Sequence, residues 1–409
     1  MRRIVTAGVL SLCCLTAAFA ADQWSQFRGP DRANRSPETG LLTSWPEGGP
    51  KLLWTARGVG EGFSTVSVSD GTVFTLGNYD GQEQLVAVDE KSGEVLWRTP
   101  FGEAYEQGRG NGPRGTPTID GQFVYVLGGR GNLACIDRQT HDIVWQRNIL
   151  DDYDARNIKW GISESVLIDG DRLICTPGGK KATIVALDKR TGEEIWTSTV
   201  KGDDQAGYAS AVISTSGGVR QYVQFTSGGT VGIRAEDGKY LWRNNAAANP
   251  TANCSTPLVS GDYVFSASGY GTGGALVKLS AEGDDVESEF MYHTPMMKNH
   301  HGGMVLVDGH IYGANNSVWT CLDLVTGDVK WEERSVGKGA IVYADGHLYL
   351  RGEQGSVALI EANPEKYVET GRFEQPERSD YNAWPHPVIA DGKLYLRDMD
   401  VLLCYDVRQ

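Results

Sequence analysis

The chain reads as an all-β protein, an eight-bladed β-propeller, and two recurring units carry that reading. One is a sentence of the form small-x-Asp-x-x-Thr/Ser-Gly-x-x-x-Trp, clearest at residues 87–97, 186–196 and 321–331. The other is an Asp-Gly or Ser-Gly turn between apolar runs, at residues 70–71, 120–121, 169–170, 216–217, 260–261, 308–309, 345–346 and 391–392. Glycine tolerates positive φ, so each such dipeptide between apolar runs sets a hairpin. Together the units spell strand, turn, strand, loop, strand, turn, strand, with a period of about 40–50 residues, the size of one four-stranded blade. Composition agrees: 52 Gly, 17 Tyr and 11 Trp among 409 residues suit tight turns joining aromatic-rich strands and argue against a helical bundle.

In chain order, residues 1–20 carry Arg2 and Arg3, then an apolar run, then Ala18-Phe19-Ala20 before Ala21. That is the pattern of a secretory signal peptide, and it predicts a mature chain that starts at Ala21 or Asp22 and is soluble in the periplasm or outside the cell. Leu12 ahead of Cys13 is a poor lipidation signal. Residues 21–50, with Trp24-Ser25-Gln26-Phe27-Arg28-Gly29-Pro30 and Trp45-Pro46, form an N-terminal extension. It is expected to strap over a propeller at 51–409 and to be removable without unfolding it. The outer-strand aromatics are Trp97, Trp145, Trp196, Trp242, Phe290, Trp331 and Phe373. The copy ending at Trp145 has His141 in the glycine position, the one ending at Trp242 keeps only part of the pattern, and those ending at the two phenylalanines are degenerate. The eighth repeat starts at Val388 and stops shortly after Asp406, short of an outer strand. Residues 51–57, Lys-Leu-Leu-Trp-Thr-Ala-Arg, have the missing strand's character, so the ring is expected to close by an N-terminal strand and leave no open seam.

The repeated sentence resembles that of the quinoprotein-like, PQQ-repeat eight-bladed propellers, and the resemblance covers Lys51 to the C-terminus. That superfamily holds both pyrroloquinoline-quinone (PQQ) alcohol dehydrogenases and non-enzymatic BamB-type assembly subunits, which share the blade-packing residues. The resemblance therefore implies the fold and leaves two functions. The first is an exported binding or assembly scaffold that works through its central funnel or rim. The second is a PQQ-dependent alcohol or sugar dehydrogenase. Such dehydrogenases commonly cap the quinone with adjacent cysteines, and the only adjacent pair here is Cys13-Cys14, inside the leader. Insertions among the blades are also few. The scaffold is preferred, with PQQ and Ca2+ expected only under the alternative. A calcium site would need Glu164 and Asn253 beside an Asp base, for which Asp203, Asp204 and Asp380 are the available and unpersuasive choices.

The formal net charge is −14, or −16 once a leader carrying two arginines and no acid is removed, which argues against nucleic acid or an anionic membrane as partner. A protein or a small polar ligand, bound by a monomer, is the expectation. Of the five cysteines beyond the leader, Cys135, Cys321 and Cys404 stand in the small position of the repeat, where they pack between blades. Candidate ligand-binding residues come from the segments ahead of the inner strands, the least repetitive parts of the chain: Arg109, Asn111, Arg114, Lys159, Trp160, Glu164, Tyr208, Asn253, Asn299, His300, His301, Tyr381, Trp384 and His386. Cations, amides and aromatic faces together suit an anionic, planar or sugar-like ligand. No catalytic residue is assigned. No metal is expected either: His300 and His301 could share an ion only if the backbone turns at Gly302-Gly303, and no Asp, Glu or Cys lies close by in sequence.

Overall fold

The structure is a computed structural model that describes residues 24–202, 204–283 and 285–409. The leader, Cys13-Cys14 and Asp203 lie outside the described residues. Eight antiparallel sheets stand around a ring, each of four strands with the first innermost. Blade one runs Ser67–Ser69, Thr72–Tyr79, Gln82–Asp89 and Val95–Glu103. Blade eight takes Val388–Ala390, Lys393–Asp398 and Val401–Asp406 from the end of the chain and its outer strand, Lys51–Arg57, from the beginning. That strand pairs antiparallel from Lys51 opposite Asp406 to Arg57 opposite Val401. Blade seven gains a fifth strand, Arg35–Ser36, parallel to Tyr343 and Ala344.

The repeat sentence explains how neighbouring blades lock. Its Asp side chain accepts the backbone N–H groups two and three residues on, as Asp188 does from Arg190 and Thr191 at 2.8 and 3.1 Å. The turn then places its glycine at positive φ, +75° at Gly93 and +73° at Gly192. The bare glycine face receives the tryptophan of the preceding blade: a Cβ on Gly93 would lie 2.7 Å from the Trp54 ring, and one on Gly192 2.8 Å from Trp145. The indole N–H groups of Trp54 and Trp145 then donate to the carbonyls of Glu90 and Lys189 in that same next turn. In blade two, His141 keeps the left-handed backbone, φ +66°, and stacks on Trp97 with ring centroids 4.2 Å apart. The repeat cysteines 135, 321 and 404 are fully buried opposite Trp145, Trp331 and Trp54.

Two of the expected outer-strand aromatics are replaced. Phe290 is 52% exposed, and Tyr292 takes the docking place, because the β-bulge puts Tyr292 opposite Leu276 while Phe290 faces Val277. A Cβ on Gly327 of blade six would lie 2.7 Å from the Tyr292 ring, and the Tyr292 hydroxyl donates to Leu324 O at 2.6 Å. In blade seven the residue at that register is Gly371, opposite Leu359. Trp45 of the extension fills the gap: it packs on Tyr349 at 5.8 Å and on Phe373 at 5.3 Å, and its backbone N–H donates to Thr370 O.

The extension is also threaded where a strap would not go. Trp24, fully buried, forms a bridge to Val68 of blade one, and Ser25 O accepts from Ile119 of blade two. Arg32 donates to the carbonyls of Ser165, Val166 and Ala211, and Arg28 to Met304 O. Asn34 donates to Ile341 O. The segment therefore crosses the axis and ties together the inner strands of most of the ring.

This geometry argues against the expectation that the extension is removable. A chain beginning at Lys51 should lose a single cooperative melting transition, because six blades lose axial hydrogen bonds and blade seven loses its docking aromatic. Trp45→Ala should cost about 3–5 kcal/mol in chemical denaturation, whereas Phe290→Ala should stay within about 0.5 kcal/mol of wild type. Equal losses would show that Trp45 does not hold the docking place.

Candidate functional site

The segments that enter the inner strands converge at one mouth of the ring and enclose a cavity of about 510 Å3. All eight blades reach it. Phe63 comes from blade one, Arg109 and Arg114 from two, Lys159 and Trp160 from three and Tyr208 from four. Cys254 and Tyr270 come from blade five, His300 and His301 from six, Lys338 from seven, and Trp384 and His386 from eight. Phe27 of the extension joins them, with its ring 5.2 Å from that of His386.

Nine of the fourteen candidates read from the sequence line this cavity: Arg109, Arg114, Lys159, Trp160, Tyr208, His300, His301, Trp384 and His386. The other five do not. Asn111 bonds Glu61 and the backbone of Gln107, and Tyr381 stands exposed at the rim. Glu164 is buried with its carboxylate turned to Thr176 N at 2.7 Å, Thr176 Oγ1 at 3.0 Å and Gln224 Nε2 at 2.9 Å. Asn253 caps its own loop through Asn249 N and the carbonyls of Thr226 and Ser227. Asn299 accepts from Ser255 Oγ at 2.6 Å and donates to Gly303 O. Position ahead of an inner strand was legible; which way each side chain turned was not. Phe63 and Lys338 stand in equivalent segments of blades one and seven and would have been found by applying the same rule to every blade. Cys254 follows Asn253 in the corresponding segment of blade five and would have been found the same way, whereas Tyr270 comes from the loop between Tyr263–Ser268 and Gly273–Glu282.

The lining is cationic and aromatic. Arg109, Arg114, Lys159 and Lys338 reach it, and among the described residues no carboxylate does. The Arg114 guanidinium is wedged 4.6 Å from the Tyr105 ring and donates to Gly110 O and Gly112 O, and burial lowers its pKa to about 10, so it stays charged. Lys159 lies 4.7 Å over Trp160. The Arg109 guanidinium has no carboxylate partner among the described residues and is exposed at the opening. Such a mouth on an acidic chain focuses field lines and draws anions.

One wall is a network. Lys338 Nζ lies 2.8 Å from His300 Nδ1 and 3.0 Å from Glu353 Oε1, and Glu353 Oε1 also accepts from Trp384 Nε1 at 2.9 Å and faces His301 Nδ1 at 3.5 Å. The imidazoles sit side by side with centroids 3.5 Å apart, and His301 lies 4.3 Å from Trp384. Gly303, at φ +67°, makes the turn that brings both rings to one side. Burial, with its neighbour His301 and then Lys338, holds His300 far below its ordinary pKa, so both rings are neutral.

The calcium set that the dehydrogenase resemblance implies does not fit. Glu164 and Asn253 spend their polar atoms on protein partners, and neither lines the cavity.

The architecture is that of a PQQ-repeat propeller with a cationic axial cavity. A family model described as "Outer membrane protein assembly factor BamB" matches residues 38–108 and 81–333, and the chain belongs to that family. BamB of Shewanella oneidensis is 23% identical over 431 residues, spanning 97% of this chain and 96% of its own. BamB of Moranella endobia is 24% identical over 244 residues, spanning 55% of this chain and 54% of its own, so that match takes in about half the relative. Among solved structures, BamB from Moraxella catarrhalis superposes with a TM-score of 0.60 at 14% identity, covering 87% of this chain and 97% of that one. Quinohemoprotein alcohol dehydrogenase from Comamonas testosteroni superposes with a TM-score of 0.66 at 12% identity, covering 96% and 82%. Likeness at such identities shows the fold alone.

Burial raises the Glu164 carboxyl to about 7 from an ordinary 4.5. A group raised on folding contributes stability that is complete below pH 4.5 and is lost as pH rises through about 7. Glu164→Gln should therefore gain about 1–3 kcal/mol relative to wild type between pH 4.5 and 8. Denaturation at each pH checks this, and a pH-independent difference would show that Glu164 is not held protonated.

Proposed function

We propose that this chain is an exported binding scaffold of the BamB kind, which holds an anionic segment of a protein partner in its axial cavity. The observation that carries the reading is the lining itself: cations and aromatic faces from every part of the ring converge on one cavity that no carboxylate of the described residues lines. The relatives named as outer membrane protein assembly factors support an assembly role. A partner's acidic side chains would pair with Arg109 and Lys159, while its apolar or aromatic side chains would lie against Phe63, Trp160 and Trp384. We propose with this that PQQ and calcium have no part in its work, on the grounds that Glu164 and Asn253 are committed elsewhere.

Trp160 and Trp384 make the test direct, since a peptide entering the cavity changes their fluorescence. An acidic peptide bearing one aromatic residue should bind the wild type, and more weakly as salt rises. Replacing both Arg109 and Lys159 with Glu should cut that affinity at least tenfold with little change in stability, because both charges are exposed. Arg114 is left alone in this test because its guanidinium also braces the loop. Equal binding by the variant, or equal binding of a neutral peptide, would overturn the reading. Dye reduction on adding PQQ, calcium and an alcohol would promote the dehydrogenase instead.

A further inference from the structure

Cys254, His300 and His301 come from two neighbouring blades, and one ligand atom from each lies within 4.8 Å of the others. Sequence spacing hides this arrangement, because the cysteine is a whole blade away from the histidines. Both loops are pinned. Asn253, next to the cysteine, anchors its loop to the carbonyls of Thr226 and Ser227. Ser255, on the other side, donates to Asn299 Oδ1 at 2.6 Å and lies 3.1 Å from His300 O, which ties one loop to the other. Asn299 in turn clamps the histidine turn through Gly303 O and Ala314 O. Gly302 cannot carry a side chain, since a Cβ there would lie 1.7 Å from Gly339 O. These ties hold a thiol and two imidazoles together, and one nitrogen of each imidazole faces Lys338 or Glu353. His300 Nε2 is buried with no hydrogen bond among the described residues, and Cys254 is a free thiol.

We infer that Cys254, His300 and His301 bind a zinc ion, with a fourth coordination position open to the axial cavity. One thiolate and two neutral imidazoles are a zinc donor set, and three protein ligands with one open position is the arrangement of accessible zinc sites. Zinc bonds of roughly 2.0–2.3 Å would draw the three ligand atoms to about 3.5 Å from one another, a contraction within reach of side-chain rotation. As the sulfur–zinc bond forms, the Cys254 proton leaves to solvent, and the ion's fourth position is filled by water. Glu353 faces His301 Nδ1 and so stands where a carboxylate fixes the tautomer of a ligating histidine, leaving Nε2 for the metal. Lys338 opposes binding, because its ammonium lies 2.8 Å from His300 Nδ1 and must withdraw onto Glu353. The site is independent of the scaffold reading, since it needs neither a partner nor the cations at the opening.

Tag-free, metal-stripped protein titrated with Zn2+ should take up one equivalent. Co2+ in its place should give the intense visible bands of a four-coordinate ion and a thiolate-to-cobalt charge-transfer band. Cys254→Ser should abolish the charge-transfer band and weaken zinc binding at least a hundredfold. His300→Gln should weaken zinc similarly, and a melting curve without metal separates lost ligation from lost fold. Glu353→Gln should weaken binding about 10- to 100-fold. Lys338→Ala should strengthen it, which no merely structural role of the cluster predicts. A charge-transfer band that survives Cys254→Ser, or zinc affinity unchanged in both ligand variants, would overturn the assignment.

Discussion

Closing eight twisted sheets into a ring leaves a shaft along the axis, lined by the exposed carbonyls of the innermost strands. Carbonyls buried away from water must be hydrogen-bonded, and here two arginines of the extension meet that need. Arg32 reaches three carbonyls of blades three and four, and Arg28 reaches one of blade six. Both guanidiniums are buried, yet burial brings them down only to about 10, so each remains a cation. Several carbonyls per guanidinium offset part of the cost of desolvating these charges. The same plug carries Phe27 to the cavity and Asn34 to within 3.5 Å of His386, so the floor of the site is built by the element that fills the shaft. Fold and site share one constraint.

What the sequence made legible follows from repetition. The docking sentence recurs because each blade must present the same glycine face to its neighbour, and five residue types at fixed spacing show it. Where one blade departs from the pattern, the signal fails. Blade five uses Tyr292 because its outer hairpin runs on to Glu282 and Asp285 in place of the Thr-Gly turn, and a two-residue difference in position cannot be read from aromatic content. Blade seven borrows Trp45, more than 300 residues away in the chain, and no local pattern announces that. At the site, position was readable and orientation was not. Glu164 and Asn253 occupy the right segments, but their polar atoms have closer partners inside the blades. Cys254 shows the reverse: an unremarked residue that the ring brings beside the histidines.

The cavity also shows how a chain of −14 can attract anions. Many of its acids are engaged in turns and surface pairs, while among the described residues the cations at the mouth lack carboxylate partners, except for Lys338 with Glu353. Net charge describes the solubility of the whole, whereas the local arrangement decides what is drawn to the axis.

Blade eight is assembled from both ends of the chain, with Lys51 opposite Asp406 and Leu41 bridged to Arg408. A polypeptide is made from its N-terminus, so the plug and this outer strand exist long before the strand they pair with. The most sequence-distant contacts in the ring are therefore also the ones that complete it, and loop-closure entropy makes such contacts slow to form. Until residues 401–406 are available, Lys51–Arg57 is an unpaired strand edge. A chain without residues 401–406 would keep that edge open to other strands. Velcro closure of this kind thus leaves blade eight the last of the eight to be finished as the chain is made.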